Sequence, residues 1–307
     1  EVSRARVRGR LGSLQHLAFV HGIFAALLSD AWIAGVAGGA AKPAWLGLEA
    51  WRRMFLVATV PALIYGTLVL GVPESPRHLV AKGRIDEARD VLRQMLALPD
   101  GPALEAKLHD IQRSRASEVR PRLRDLRGPR LGLLPMVWVG IALSVFQQAV
   151  GINVIFYYSS TLWHSVGFSE SDAFTITVVT SVVNVLVTLL AIALVDKVGR
   201  KPLLVVGSVG MTVTLGLMAL CFAQATGDGA SLSLPQPWNV VALVSANAYV
   251  VFFGLSWGPM VWVLLGEMFP NRIRAIALAV AASAQWLANF AITVSFPSLA
   301  EIGLSFA

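Results

Sequence analysis

A single cysteine, Cys221, occurs in 307 residues, so the chain can close no internal disulfide and offers no cysteine cluster to a metal. Charge is scarce too. Only 14% of residues are Asp, Glu, Lys or Arg, whereas 56% are hydrophobic, more apolar surface than a soluble domain of this length can bury. Ten-residue segments of alternating polarity, the mark of a membrane β-barrel, are missing. There is no Gly-Lys-Ser phosphate loop. The five histidines, His16, His21, His78, His109 and His164, are scattered, with no nucleophile and base gathered around them. These gaps argue against an enzyme, a metal centre and a resident cofactor, and they leave lipid as the solvent. Glu1 is followed by a run of arginines rather than an apolar leader segment, so the chain reads as starting inside a longer protein.

What the sequence has instead is long apolar runs. Spanning about 30 Å of hydrocarbon takes roughly 20 mostly apolar residues as a helix, and seven stretches meet that length: 11–34, 54–72, 131–159, 173–195, 202–223, 239–265 and 275–299. The expected fold class is an all-α polytopic membrane bundle. Its net charge of +7 first suggests nucleic acid, but the charges are partitioned by position. Threading the runs in alternation puts every Lys and Arg except Lys42, Arg52 and Arg53 on one face. The positive-inside rule makes that face cytoplasmic. The basicity therefore records topology, and no nucleic-acid partner is expected.

Glu1, Arg6 and Arg8 recur in spacing as Glu267, Arg272 and Arg274, each set directly before a span. Many secondary transporters are duplications whose halves meet around a midplane site. Four spans precede the second copy after the long polar segment, and none precedes the first. The expectation is a twelve-span parent with spans five to eleven present. Residues 1–73 would be the last two spans of its N-terminal half, 74–130 a cytoplasmic helical linker, and 131–307 five spans of its C-terminal half. Within the linker, Ala88, Val91, Leu92, Met95 and Leu96 form one apolar helical stripe, and Leu104, Leu108 and Ile111 begin another.

Polar side chains inside spans are costly and face a bundle interior or a cavity. The third span carries Gln147, Gln148, Gly151, Asn153, Tyr157 and Tyr158 without a charge. Amides both donate and accept, as do sugar hydroxyls, so such a cluster suits a neutral polyol. Gln148 and Asn153 lie about 140° apart on a regular helix, so both can face one pocket only if the helix unwinds, and Gly151 sits between them. Asn184 in the fourth span, and Gln285 with Asn289 at i, i+4 in the seventh, add further amides. Trp286 adjoins Gln285, and Trp262 follows Gly258-Pro259, a pair that should kink the sixth span. Indole faces stack on sugar rings. Structural amide bonds between helices and tryptophan anchoring at the lipid interface are the alternative uses of these residues. At the cytoplasmic ends, Asp196, Gly199, Arg200 and Lys201 form a tight turn, and Glu267 ends the sixth span. With Glu1, Arg8 and Arg274 these charges are candidates for a gate latch that breaks and re-forms. No Asp or Glu is read at mid-span.

Several of these motifs together, Pro73-Glu-Ser-Pro-Arg77, Gln147-Gln148 through Tyr158, Asp196 through Lys201, Gly258-Pro259 through Pro270, and Gln285-Trp286 with Asn289, resemble the sugar porter family of the major facilitator superfamily along nearly the whole chain. The run 256–290 is especially similar to its bacterial proton-coupled xylose transporters. The resemblance implies that Gln147, Gln148, Asn153, Asn184, Trp262, Gln285, Trp286 and Asn289 line a hexose or pentose site, and that a proton-coupling acid, where there is one, belongs to the first helix of the parent. Where the family usually places a sugar-contacting Gln, this chain has His16, which can still bond a hydroxyl and whose unperturbed pKa of about 6.5 would make binding sensitive to pH. The expected partners are a monosaccharide, the lipid bilayer and protons, and the expected location is a bacterial plasma (inner) membrane. Sugar:proton symport is the leading reading. Facilitated uniport, a sugar sensor and an inactive truncated remnant are the alternatives.

Overall fold

Each long apolar run is helical, and three of them are interrupted within the run. The structure, a computed structural model, describes residues 8–43, 47–96, 101–116, 122–128, 132–226, 233–270 and 272–302. In chain order the helices are α1 (Arg8–Ala37), α2 (Ala50–Val57), α3 (Thr59–Leu70), α4 (Pro76–Ala81), α5 (Ile85–Leu96), α6 (Pro102–Ala116) and α7 (Pro135–Ala149). They continue as α8 (Ile152–Tyr157), α9 (Ser159–Ser165), α10 (Glu170–Val198), α11 (Arg200–Phe222), α12 (Trp238–Leu255), α13 (Trp257–Met268) and α14 (Arg274–Ile302). Among the described residues, β-pairing is limited to two isolated bridges, Pro43 with Glu49 and Thr226 with Ser233.

Among the described residues, seven segments are long and apolar enough to cross a membrane: His16–Ala37, Ala50–Leu70, Pro135–Tyr157, Glu170–Val198, Arg200–Phe222, Trp238–Met268 and Arg274–Ile302. Each coincides with one of the runs in the sequence, which makes this a multi-pass membrane protein. Local chemistry sets the ends. The Ser169 hydroxyl caps α10 by accepting from the Asp172 N–H at 3.1 Å. Gly199, at φ 90° and ψ 163°, separates α10 from α11 with a backbone that a side chain would strain. Phe269 is held extended before Pro270, which ends α13.

The chain forms two compact units, one of Glu1–Phe55 with Leu123–Ala307 and one of Leu56–Arg122. In the first, α1 packs along α10 and α13, α11 along α12, and α14 along α7. One core cluster gathers Ile152, Phe156, Trp163, Met211, Tyr249 and Phe253; another gathers Val137, Val261, Leu265, Phe269, Ala277 and Ala281. The α11–α12 seam depends on glycine. A β-carbon on Gly207 would overlap Ser256, and one on Gly210 would overlap the Phe252 ring, so small residues let these helices approach closely. Val205, Val209 and Val213 stay exposed, as a lipid-facing stripe requires.

In the second unit, Leu79, Ala88, Leu92, Leu104, Leu108 and Ile111 close a small core. Both apolar stripes read from the sequence contribute to it, although Met95 is open. Arg89 ties α5 to α6, its Nε donating to Glu105 Oε1 at 2.7 Å and its Nη1 to Asp86 Oδ1 at 2.7 Å. The hydrogen bond to Glu105, and then that to Asp86, hold the guanidinium's pKa above its ordinary value.

Candidate functional site

Two broken helices create the site. Gln147 and Gln148 lie buried in the last turn of α7, which stops because Gly151 takes φ 84°. α8 then restarts at Ile152, and the break swings Asn153 back until its Nδ2 donates to Gln148 Oε1. On an unbroken helix these side chains would stand apart. Tyr249 of α12 donates its hydroxyl to the Val150 carbonyl at 2.7 Å, satisfying an acceptor beside the interruption.

The second break lies between α12 and α13. Pro259 has no N–H for the carbonyl of Leu255, so the regular ladder fails there, and Ser256 takes φ −128° and ψ −90°. The Gly258-Pro259 pair thus does interrupt the sixth span, but the irregular residue is Ser256, two positions before Gly258. Gln147 bridges the two breaks, its Nε2 donating to the Trp257 carbonyl at 2.8 Å and to the Gly258 carbonyl at 3.2 Å. Trp257 donates its indole N–H to Ser208 Oγ at 2.8 Å. No pattern in the sequence marks Trp257 beyond its place directly before the Gly-Pro pair, because its side chain carries no polar group except that N–H.

Two more helices reach the same break. A β-carbon on Gly258 would lie 2.8 Å from His16 Nε2, and one on Gly254 would lie 3.2 Å from Asn184 Oδ1. His16, Gln147 and Asn184 therefore converge from α1, α7 and α10 on one turn of broken helix. The atoms His16 Nε2, Gln147 Oε1, Asn184 Oδ1 and Gln285 Oε1 are buried and have no hydrogen-bond partner among the described residues. Ser144 Oγ and Thr188 Oγ1 are in the same condition, about one turn along α7 and α10. Each such atom costs about 1–3 kcal/mol. Amides and hydroxyls of this kind can both donate and accept, so together they form an uncharged polar set inside the bundle.

Gln285 and Asn289 share the buried face of α14 with Ala277 and Ala281, and Asn289 Oδ1 accepts from Thr293 Oγ1 at 2.9 Å. Trp262 and Trp286 are not buried with these amides. They are 36% and 59% exposed, and no described residue accepts their indole N–H groups.

At the helix ends, Arg200 Nη2 lies 2.9 Å from Glu267 Oε1 and 3.5 Å from Asp196 Oδ1, which joins α10, α11 and α13 as the charge pattern suggests. Arg274 instead donates its Nε to the Phe269 carbonyl at 3.1 Å. Glu1 lies outside the described residues, as does the side chain of Arg8.

One expectation from the sequence, that no carboxylate stands at mid-span, does not hold. α1 continues to Ala37, and this places Asp30 inside the span His16–Ala37. Asp30 is half-buried. Among the described residues it is the one Asp or Glu more than a turn from a span end. The apolar run in the sequence ends at residue 34, which makes Asp30 read as terminal.

The model of the family described as "Sugar (and other) transporter" matches residues 1–303. The chain is 53% identical over 306 residues to the glucose transport protein of Synechocystis sp. (strain ATCC 27184 / PCC 6803 / Kazusa), covering 99% of this chain and 64% of that protein. To the D-xylose-proton symporter of Escherichia coli (strain K12) it is 37% identical over 304 residues, covering 97% of this chain and 56% of that protein. Among solved structures, it is similar to a proton:xylose symporter bound to 6-bromo-6-deoxy-D-glucose, with a TM-score of 0.73, 37% identity, and coverage of 97% of this chain and 58% of the other. The partially occluded, inward-open conformation of the E. coli xylose transporter gives a TM-score of 0.75 at 35% identity, with coverage of 96% and 58%. The chain thus spans less than two thirds of the length of these relatives.

Proposed function

We propose, from the premise that this chain belongs to the family of sugar (and other) transporters, that it forms part of the pathway wall of a secondary transporter moving a monosaccharide by alternating access. The observation that carries this reading is the convergence of His16, Gln147 and Asn184 on the break at Ser256, with buried polar atoms unpartnered. Such a wall meets a neutral polyol without offering it a charge. In this reading Gln147 positions the broken segment and also faces the sugar, while Gln148 and Asn153, tied to each other, form the adjoining edge. Gln285 and Asn289 add amides from α14, and Trp262 and Trp286 supply open ring faces. Residues 1–73 then close the N-terminal half of a longer transporter, 74–130 its cytoplasmic segment, and 131–307 most of its C-terminal half. The location that fits is a bacterial plasma membrane. Binding and reorientation account for the activity without covalent chemistry.

Coupling to protons is the finer part of the proposal. A symporter needs a carboxyl group that changes protonation within the membrane. The resemblance puts that group in the first span of the longer protein, and Asp30 is a second candidate within this chain. Uptake of radiolabelled hexose and pentose into vesicles carrying the complete protein, with counterflow as the readout, tests the transport reading. Accumulation driven by an imposed pH gradient supports symport, and counterflow without such accumulation supports uniport. Sugar binding without counterflow would leave a sensor and sink the transporter reading.

A further inference from the structure

Away from the sugar wall, three arginines share one concavity at the cytoplasmic end of the larger unit. Arg124 and Arg127 come from the short 3₁₀ turn Leu123–Leu126 and the residue after it; Arg272 comes from the turn before α14. With Asp125, Leu134, Pro270 and Ile273 they surround a cavity of about 370 Å³. One carboxylate does not balance three guanidinium groups. Arg272 Nη2 stands 3.9 Å from Asp125 Oδ1, beyond hydrogen-bond reach, and the Arg272 side chain is 71% exposed. Arg124 and Arg127 form no side-chain ion pair among the described residues.

The chemistry of the wall selects the guest. Planar guanidinium forks match phosphoryl oxygens two at a time, and three around one hollow suit a phosphate monoester or diester better than a carboxylate. The apolar side of the hollow is built by Leu134, just before α7, and Ile273, just before α14. Two spans begin there, so the hollow lies where lipid headgroups meet hydrocarbon. Basic pockets between spans on the cytoplasmic side recognise anionic headgroups in this way. The positive end of the long α14 helix adds to the same field.

We infer that the hollow formed by Arg124, Arg127 and Arg272 binds a phosphoryl group, supplied by an anionic phospholipid headgroup or by a soluble phosphate ester. This site is separate from the sugar wall and does not depend on the transport reading.

The test uses the purified full chain. Native mass spectrometry after graded delipidation counts bound phosphatidylglycerol and, separately, phosphatidylcholine. Thermal unfolding in lipid-free detergent, with and without inorganic phosphate or glucose 6-phosphate, tests the soluble source. Each arginine near an anionic headgroup contributes about a fivefold effect, so Arg124→Gln, Arg127→Gln and Arg272→Gln should each weaken retention of phosphatidylglycerol several-fold, and the triple variant more. Lys82→Gln removes a cytoplasmic charge elsewhere and should change nothing. Selective retention of phosphatidylglycerol that the arginine variants lose establishes a lipid site. Stabilisation by phosphate or the sugar phosphate, lost in the same variants, establishes a soluble-ligand site. Equal retention of both lipids together with no stabilisation by either anion overturns the inference. The single variants keep the test decisive if the triple variant does not fold.

Discussion

Removing the Gln147 amide takes away two separable things. Its Nε2 holds the carbonyls of Trp257 and Gly258 at the broken span, while its buried Oε1 has no partner. Gln147→Ala should therefore lower stability by about 1–3 kcal/mol and also weaken sugar binding by at least tenfold. Gln147→Glu should lose at least as much stability as the Ala variant, because a carboxylate cannot donate to the Trp257 and Gly258 carbonyls and brings a buried charge against them, and it should also bind sugar poorly. Thermal unfolding and equilibrium binding of glucose and xylose, measured on the complete protein, separate the two effects. If both variants bound sugar as the parent does, Gln147 would be structural glue. Asp30 is the residue-scale test of coupling. It sits on the face of α1 that continues from His16, Val20, Ile23 and Leu27, where Val20 is buried and Ile23 and Leu27 pack against the core. α1 packs against α10 and α13, whose charged groups, Glu170, Asp172, Asp196, Lys197 and Glu267, lie near their ends. Between those ends α10 offers the hydroxyls of Thr177, Thr180 and Ser181. A carboxylate at a helix centre costs about 2.5–3.5 kcal/mol, and Asp30, nearer the end of its span, costs less. If it carries the coupled proton, Asp30→Asn should abolish accumulation driven by a pH gradient and leave counterflow within about threefold. Unchanged accumulation would return the coupling role to spans outside this chain.

At the scale of elements, the breaks carry the design, and they respond to substitution for different reasons. Gly151 holds φ 84°, and a β-carbon there meets nothing within 4 Å, so Gly151→Ala strains the backbone alone, by about 1–2 kcal/mol. Gly210→Ala drives a β-carbon into the Phe252 ring and should cost more, through displaced packing of α11 on α12. Thermal unfolding of the two variants should rank Gly210→Ala as the less stable, and the reverse order would show that the α11–α12 seam yields easily. The first break is legible in the sequence because Gln148 and Asn153 share one pocket only if the helix unwinds, with a glycine available between them. The second is legible to within a few residues, since Gly258-Pro259 signals an interruption but does not say which carbonyl is released. The glycine seam is not legible: Gly207 and Gly210 sit in an apolar run that carries no sign of its partner. Nor is the hydroxyl of Tyr249 on the Val150 carbonyl, a contact 99 positions apart in sequence. Spans can be read because lipid forces every backbone bond inside the helix. Side-chain convergence depends on which helices become neighbours, and that information is spread over the whole chain.

For the molecule as a whole, the partition of charge leaves an ion pair that joins the ends of three helices. Arg200 reaches across the cytoplasmic ends of α10, α11 and α13 to Glu267, with Asp196 close by, and Gly199 permits the tight turn that aims it. Side chains of the Arg200–Glu267 pair are 27% and 39% exposed, so solvent and salt weaken it, and a pair of this kind contributes about 0.2–1 kcal/mol. That is too little to hold the fold and enough to bias two conformations that differ by a few kcal/mol. Arg200→Gln should therefore leave the unfolding temperature nearly unchanged, yet open the cytoplasmic side more often in the complete transporter. A cysteine placed at Gln285 reports this, because the chain's own Cys221 is buried and adds little background. Labelling of that cysteine by a membrane-impermeant maleimide from the cytoplasmic side should accelerate by up to about fivefold in Arg200→Gln and in Glu267→Gln. The double variant should gain no more than either single one, since each removes the same interaction. Additive acceleration, or a large fall in thermal stability, would make these charges separate structural supports rather than one latch.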